Sequence, residues 1–379
     1  MNNPLGLYVH VPFCTSKCAY CDFYSYRSDA AARAEYADAA VRMAGKMAAL
    51  AGERTVDTVY FGGGTPSALE PELFAHLAAS LRRFRVAEGA EFTAEANPAP
   101  IPDGMFRVWR EAGVNRVSFG LQSAVTAELR AVGRRHTRED AAAAVRRARE
   151  AGIDNVTLDL MLGLPGQTDA TAMESLEFAL SLGPQHLSVY CLKLEENTPL
   201  ARQVSAGRVR VADDDELAGR YLAVCDRLAA EGYEHYEISK FALPGFRSRH
   251  NLRYWRRQEY LGIGPAAHSF FEGRRRWFPA DTAEFVRLAA GPDIGWTADD
   301  PSDPGEEYLI LSLRLSDGWI PAEQAQLSGV RAADAAEKYL QSLVAPGYVR
   351  RTDRSFALTD RGMLVSNTIL SDLMIRMEE

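Results

Sequence analysis

The sequence predicts an α/β fold: a partial barrel of strand–helix units followed by a small C-terminal winged-helix-like α+β module. Three observations carry this expectation. Short apolar runs alternate with longer helical stretches through the first two-thirds of the chain, and repeated strand–helix units build a parallel sheet with helices outside. Six such units can be traced, too few for a closed eightfold barrel. The conspicuous polar clusters all stand where an apolar run ends, on the C-terminal rim where barrels of parallel strands place their chemistry.

The expected strands are Leu5–Val11, Val56–Phe61, Glu91–Glu95, Arg116–Phe119, Asn155–Leu160 and His186–Tyr190. Arg33–Leu50, Pro71–Phe84, Asp140–Ala151 and Ala172–Leu182 carry helical periodicity between them. Around residue 240 the pattern breaks into an arginine- and aromatic-rich stretch, and Gly291–Gly305 reads as a linker. Helices at Glu306–Leu315, Ala322–Leu327 and Ala332–Leu343, a hairpin from Gly347–Arg351 and Ser355–Leu358, and a last helix Asp360–Met377 make up the module. The expected divisions are residues 1–240 for the barrel, 241–303 for a connecting segment and 304–379 for the module.

Of the 379 residues, 47% are hydrophobic and 25% charged, as in ordinary globular proteins. With 43 basic and 51 acidic residues the net charge is −8, which gives no electrostatic footprint for nucleic acid. From Pro304 onward 8 basic residues face 11 acidic ones, so the module reads as a structural cap. The first residues lack a basic region followed by an apolar run, and no uncharged stretch reaches the ~18 residues that span a bilayer. A cytoplasmic, non-transmembrane protein is expected.

Cys14, Cys18 and Cys21 lie in the stretch Tyr8-Val-His-Val-Pro-Phe-Cys-Thr-Ser-Lys-Cys-Ala-Tyr-Cys. The spacing C-x3-C-x2-C lacks the paired C-x2-C units of a zinc knuckle. Three thiolates on one short loop can hold three irons of a [4Fe–4S] cluster and leave the fourth open. Zinc completed by His10, Cys191 or Cys225 is the competing reading. Five cysteines, three of them committed to one loop, argue against disulfides and for a reducing compartment.

Other rim residues follow in strand order. Tyr60-Phe-Gly-Gly63-Gly64-Thr65-Pro lets backbone approach a ligand closely, but lacks the Lys-Ser/Thr of a phosphate loop. Glu95 ends the third strand, where a carboxylate can accept from ribose hydroxyls or an ammonium. Gln122 ends the fourth, and Asp159 lies among apolar neighbours in the fifth. A buried carboxylate needs a partner, and Arg134 is the expected one. A tight turn at the glycines and simple loop capping by Glu95 and Asp159 are the bland alternatives. Cys191 and Cys225 read as buried apolar residues, and His268 as a rim residue.

Together, Y-V-H-V-P-F-C-x3-C-x-Y-C, G-G-G-T-P, S-F-G-L-Q and D-L-M-L-G-L-P-G-Q-T resemble the radical S-adenosylmethionine (SAM) enzymes. The resemblance is to the branch holding oxygen-independent coproporphyrinogen III oxidase and the haem chaperones of the HemW type. It implies that Cys14, Cys18 and Cys21 bind a [4Fe–4S] cluster whose fourth iron takes SAM. It places Tyr8, Tyr20, Gly63, Gly64, Thr65 and Glu95 against SAM, and Gln122, Arg134 and Asp159 at positions given to a second SAM in the oxidase.

Two departures separate the chain from the oxidase. The oxidase pattern continues C-x-Y-C-x-C, whereas Asp22-Phe23 follows Cys21 here, and the oxidase has an extension before the strand that begins this chain. The chaperone branch carries H-N-x-x-Y-W, which stands here as His250-Asn251-Leu252-Arg253-Tyr254-Trp255. If helical, His250 and Tyr254 share a face one turn apart, and imidazole and phenolate are both known haem ligands. Arg247, Arg249, Arg253, Arg256 and Arg257 could pair with propionates, and Trp255 could stack on the macrocycle. A buried histidine with aromatic packing is the alternative reading of the motif. The expected function is therefore a haem chaperone that serves recipient haemoproteins, membrane respiratory enzymes among them. Oxidative decarboxylation of coproporphyrinogen III is the alternative.

Overall fold

The computed structural model describes residues 3–378; Met1, Asn2 and Glu379, which the expected outer limits include, lie outside the described residues. The chain forms two compact units, residues 1–217 with 259–299 and residues 218–258 with 300–379. The first unit opens with β1 (Leu5–Val11), α1 (Ala30–Ala51), β2 (Thr55–Gly63), α2 (Pro71–Ser80), β3 (Arg85–Ala96), α3 (Met105–Ala112) and β4 (Arg116–Gln122). It continues with α4 (Thr126–Ala131), α5 (Arg138–Glu150), β5 (Asn155–Leu162), α6 (Asp169–Ser181), β6 (His186–Cys191) and α7 (Pro199–Ser205).

The second unit takes most of α8 (Asp214–Ala230), then β7 (Glu234–Glu237), β8 (Lys240–Ala242) and α9 (Arg249–Trp255). The first resumes with β9 (Tyr260–Ile263), β10 (His268–Phe271), β11 (Arg274–Trp277), α10 (Thr282–Ala290) and β12 (Thr297–Ala298). The second ends with α11 (Pro304–Ser312), α12 (Pro321–Ser328), α13 (Val330–Ser342), β13 (Val349–Arg351), β14 (Phe356–Leu358), α14 (Asp360–Leu364) and α15 (Ser366–Glu378).

In the first unit β1 to β6 pair in chain order and all in parallel. Every residue of β1 except Tyr8 is buried, which suits a parallel strand covered on both faces. The helices start on side-chain caps: Asp29 accepts from Ala32 at α1, and Thr137–Asp140 and Thr168–Thr171 form reciprocal boxes at α5 and α6. Tyr36, Met43 and Met47 on α1 and Phe74 and Leu77 on α2 are fully buried. The short α3, α4 and α7 were not expected, because six to eight residues give too little periodicity to register.

The structure cuts the chain differently from the sequence reading. β9 pairs in parallel with the free edge of β1, and β10, β11 and β12 follow antiparallel, so 259–299 belongs to the first unit. Residues 218–258 go with the C-terminal module instead. A four-residue strand with one glycine inside it and another after it gives little sequence signal. A Cβ at Gly262 would lie 2.1 Å from the carbonyl oxygen of His268, so glycine is required where β9 meets β10.

The core of the second unit gathers Leu309, Leu313, Trp319, Leu340, Phe356 and Leu373, all but Phe356 wholly buried. The Trp319 indole N–H donates to Gln324 at 2.9 Å, which satisfies the polar end of a buried aromatic. The expected last helix is two, because Val365 leaves the helical region (φ −110°, ψ 20°). Leu340→Ala removes a fully buried side chain and is expected to cost about 2–5 kcal/mol, read from the urea dependence of tryptophan fluorescence.

Candidate functional site

The register of β1 against β2 sets the geometry of the cysteine loop. Val11 lies beside Gly63, and the next two amides, of Gly64 and Thr65, donate to the carbonyls of Val11 (2.8 Å) and Phe13 (2.7 Å). A Cβ at Gly64 would sit 2.7 Å from both of those oxygens. At Gly63 (φ 100°) it would sit 2.5 Å from the His10 ring. The glycine run is thus demanded by close approach, but of one strand to another, and these two amides serve the loop.

Phe13 is buried edge-on against Tyr36 and Tyr26, and the Cys14 amide donates to Tyr26. Farther along, the Ala19 amide donates to Val132 and the Leu200 amide to Ala19. Cys14, Cys18 and Cys21 are half-buried and in no disulfide. Burial pushes the Cys21 thiol up to about 11, and Cys18 and Cys14 add to the effect.

Among the described residues the only group of three or more His, Cys, Asp or Glu with ligand atoms all within 4.8 Å of one another is elsewhere, at Cys225, His235 and Asp360. Tetrahedral zinc, with Zn–S of about 2.3 Å, would hold its thiolates ~3.8 Å apart. His10 does not turn to the thiols: its ring bonds the Tyr8 hydroxyl (3.0 Å) and the Tyr24 carbonyl (2.9 Å).

The inner face of the parallel sheet carries a polar row. Tyr8 pairs with Tyr60, Tyr60 with Thr93, Glu95 with Ser118, and Asp159 with Ser188. Tyr60 donates to Glu95 at 2.6 Å. Burial, and next the Glu95 charge, hold the Tyr8 and Tyr60 phenols well above their ordinary pKa, so both remain protonated. Ser118 donates to Asp159 at 3.2 Å.

A second chain of contacts closes around the cysteines. Cys14 Sγ lies 3.4 Å from Thr65 Oγ1, and Asn97 donates to that hydroxyl at 3.2 Å. Arg134 donates to Asn97 (2.8 Å), to the Gly120 carbonyl (2.9 Å) and to the Tyr20 hydroxyl (3.2 Å), back on the loop. Arg134 acts on Asp159 as a charge rather than through the expected fork. Burial pushes the Tyr20 phenol up to about 12 in spite of the guanidinium beside it.

Gln122 holds a left-handed conformation (φ 65°) at the end of β4. Its Oε1, like Thr93 Oγ1, is buried without a hydrogen-bond partner among the described residues. Orphaned buried oxygens of this kind call for a ligand or water. Three thiols, two carboxylates, a guanidinium and these open acceptors fit an iron–sulfur cluster with a zwitterionic, ribose-bearing ligand. Tyr60 and Asn97 escaped sequence reasoning. Their signal was parity: Tyr60 pairs with Tyr8, and Asn97 stands two residues beyond Glu95.

Other expectations change within their own units. Cys191 is exposed rather than buried, and His268 is exposed and stacked on Trp277. In the second unit α9 places His250 and Tyr254 one turn apart, with Nε2 2.8 Å from the hydroxyl. His250 is wholly buried. Burial, then Arg253 and Lys240, lowers its pKa to about 3, so the imidazole is neutral. The expected propionate-binding arginines are largely engaged: Arg247 with Glu234 and Asp317, Arg256 with Asp317, and Arg257 with Glu307. Trp255 packs against Tyr236, Ala242, Leu252 and Leu315 rather than standing open.

Comparison with known proteins places this geometry. Residues 8–179 match the radical SAM superfamily and residues 299–365 the HemN C-terminal domain. Coproporphyrinogen III oxidase (HemN) from Escherichia coli superposes with a TM-score of 0.85 at 23% identity, over 98% of this chain and 90% of that one. The fold is therefore that of a radical SAM protein. Heme chaperone HemW of Mycobacterium tuberculosis is 36% identical, over 98% of this chain and 95% of its own length. The mouse mitochondrial radical S-adenosyl methionine domain-containing protein 1 is 39% identical, over 99% and 88%. The chain belongs to the HemW family of the radical SAM superfamily.

Gly64→Ala is expected to displace the loop and to lower the iron bound per chain after anaerobic reconstitution at least severalfold, measured by metal analysis. A second expectation concerns acid. His136, buried with its Nε2 3.0 Å from the Leu121 carbonyl, has its pKa lowered to about 4 by burial and then by Arg134. The unfolded chain takes up that proton near pH 6.5 and the folded one only near 4, so the contribution is intact above 6.5 and is lost as pH falls toward 4. The loss is about 3 kcal/mol in all. His136→Gln should flatten the fall in urea midpoint across that window.

Proposed function

We propose that this protein is a haem chaperone, which binds haem and passes it to recipient haemoproteins. Two features support the reading: near-full-length likeness to heme chaperone HemW proteins, and Phe23 at the place where the oxidase pattern has another cysteine. Position 23, two residues past Cys21, thus offers no thiol, and the Phe23 side chain is 65% exposed. The likeness to the oxidase is in fold alone.

In this reading Cys14, Cys18 and Cys21 hold a [4Fe–4S] cluster, which with bound SAM supplies one-electron chemistry. Tyr8, Tyr20, Gly63, Gly64, Thr65 and Glu95 would receive SAM. Glu95, held by the Tyr60 hydroxyl, accepts from an ammonium or ribose hydroxyls. Gln122, Arg134 and Asp159 offer a further polar wall. A thiolate loop of this kind needs a reducing compartment, hence a cytoplasmic setting; no helix of the described residues is long and apolar enough to cross a membrane.

Haem is the cargo. His250 is already neutral, the form that ligates iron, but its Nε2 is buried against Tyr254. Ligation through Nε2 therefore requires the Tyr254 hydroxyl to leave it. Recipients would be haemoproteins, membrane-bound respiratory ones included.

Titrating the anaerobically reconstituted protein with haem should raise a Soret band, whereas coproporphyrinogen III with SAM and reductant should give no decarboxylated product. Turnover to protoporphyrinogen IX would establish the oxidase instead. His250→Ala should weaken haem binding at least tenfold while leaving the iron–sulfur absorbance unchanged. Tyr254→Phe should speed the rise of the Soret band severalfold; loss of binding in that variant would make the phenolate the ligand.

A further inference from the structure

We propose that Arg314, distant in sequence from the His250 helix but in contact with it within the second unit, binds a propionate of haem. This rests on the haem reading above and names the group that recognises the cargo's carboxylates. Arg314 stands two residues past α11, and its backbone is fixed beside β7. The Ile238 amide donates to the Arg314 carbonyl at 3.1 Å, and Leu315 bridges Glu237. Leu315 belongs to the cluster against which Trp255 packs. The Arg314 guanidinium lies over the Trp255 ring, 5.8 Å from its centroid. Trp255 is the last residue of α9, which carries His250 and Tyr254. Five residues of helix put Trp255 about 7.5 Å along the axis from His250, a separation that one porphyrin with propionates at its edge can span.

The donors of this guanidinium are largely unspent. An arginine presents five N–H donors in a planar fork, and among the described residues Arg314 uses one, from Nη2 to Asn367 Oδ1 at 3.2 Å. Its Nε is buried with no hydrogen-bond partner. The charge of Glu237 acts on it, but that buried carboxylate is committed elsewhere, 3.4 Å from the Ser239 amide and 3.8 Å from Lys240 Nζ. Burial lowers the Arg314 pKa from the ordinary arginine value, and Glu237 opposes this only in part. A partly buried cation in this state gains from an anion. Arg247, Arg256 and Arg257 are already paired with acids, so each would have to give up an ion pair to take a propionate. Arg314 has only a neutral amide to give up.

Access and geometry suit the exchange. Asn367 is exposed, so an incoming carboxylate can replace its amide oxygen and turn a neutral acceptor into a charge-assisted one. A guanidinium lying on an indole face is held by cation–π attraction. Its N–H edge stays open in the plane, where two parallel bonds to a carboxylate form.

The test compares haem with haem dimethyl ester, whose propionates are esterified and uncharged, by Soret titration of the full chain with its iron–sulfur cluster reconstituted. The unsubstituted chain should bind haem at least tenfold more tightly than the ester. Arg314→Gln should weaken haem binding at least tenfold and leave ester binding within about twofold, so that the preference disappears; Arg314→Lys should keep part of it. His250→Ala should weaken both ligands alike. A merely structural role for Arg314 would weaken both ligands together in Arg314→Gln. That result, or a preference for haem undiminished in Arg314→Gln, would overturn the proposal. An unsubstituted chain that raises no Soret band with either ligand would overturn the haem reading itself, and the proposal with it.

Discussion

The amides of Gly64 and Thr65 bind the carbonyls of Val11 and Phe13, and the position of the cysteine loop rests on that clasp. Strand β1 alone would deliver the chain to the rim without fixing where the loop starts. With β2 in register and no Cβ on Gly63 or Gly64, the two backbones close to contact. The first thiol then stands beside the Thr65 hydroxyl. The loop's middle is fixed by its own ties, Ala19 to Val132 and Leu200 to Ala19. A segment with little regular structure is thus held by backbone bonds from several elements, which spaces its sulfurs before anything binds.

Arg134 repeats the principle with a side chain. One guanidinium spans Asn97 at the end of β3, Gly120 in β4 and Tyr20 in the loop, the planar fork doing what three separate side chains would otherwise do. A Cβ at Gly120 would come 3.0 Å from that guanidinium and from Gln122 Nε2, so the glycine of S-F-G-L-Q makes room for it. In the second unit the polar group most deeply committed is His250, where burial selects a neutral ring.

Much of this was legible. The six parallel strands, their order and the rim position of the thiols follow from apolar runs and from polar residues at their ends. Relations that depend on residues far apart in the chain were not. Nothing local to Tyr260–Ile263 says that it pairs with β1. Arginines 247, 256 and 257 read as a cationic surface because Glu234, Asp317 and Glu307, which neutralise them, lie up to tens of residues away. Tyr60 was hidden by a different cause: its role follows from register, which pairing alone reveals, while Asn97 was marked only by its parity with Glu95. The burial of His250 was likewise invisible, since a polar residue in a helix one turn from an aromatic suits either surface or core.

The first unit is interrupted in the chain, and this has a consequence for synthesis. β1 leaves the ribosome well before β9, yet one of its two edges is completed by residues 260–263, with residues 218–258 of the other unit made in between. Through most of translation that edge presents unpaired backbone, a template for wrong partners, and such distant parallel pairing is slow to form. The cysteine loop hangs from the same strand. Nascent chains therefore carry the three thiols on an unfinished sheet until β9 is made.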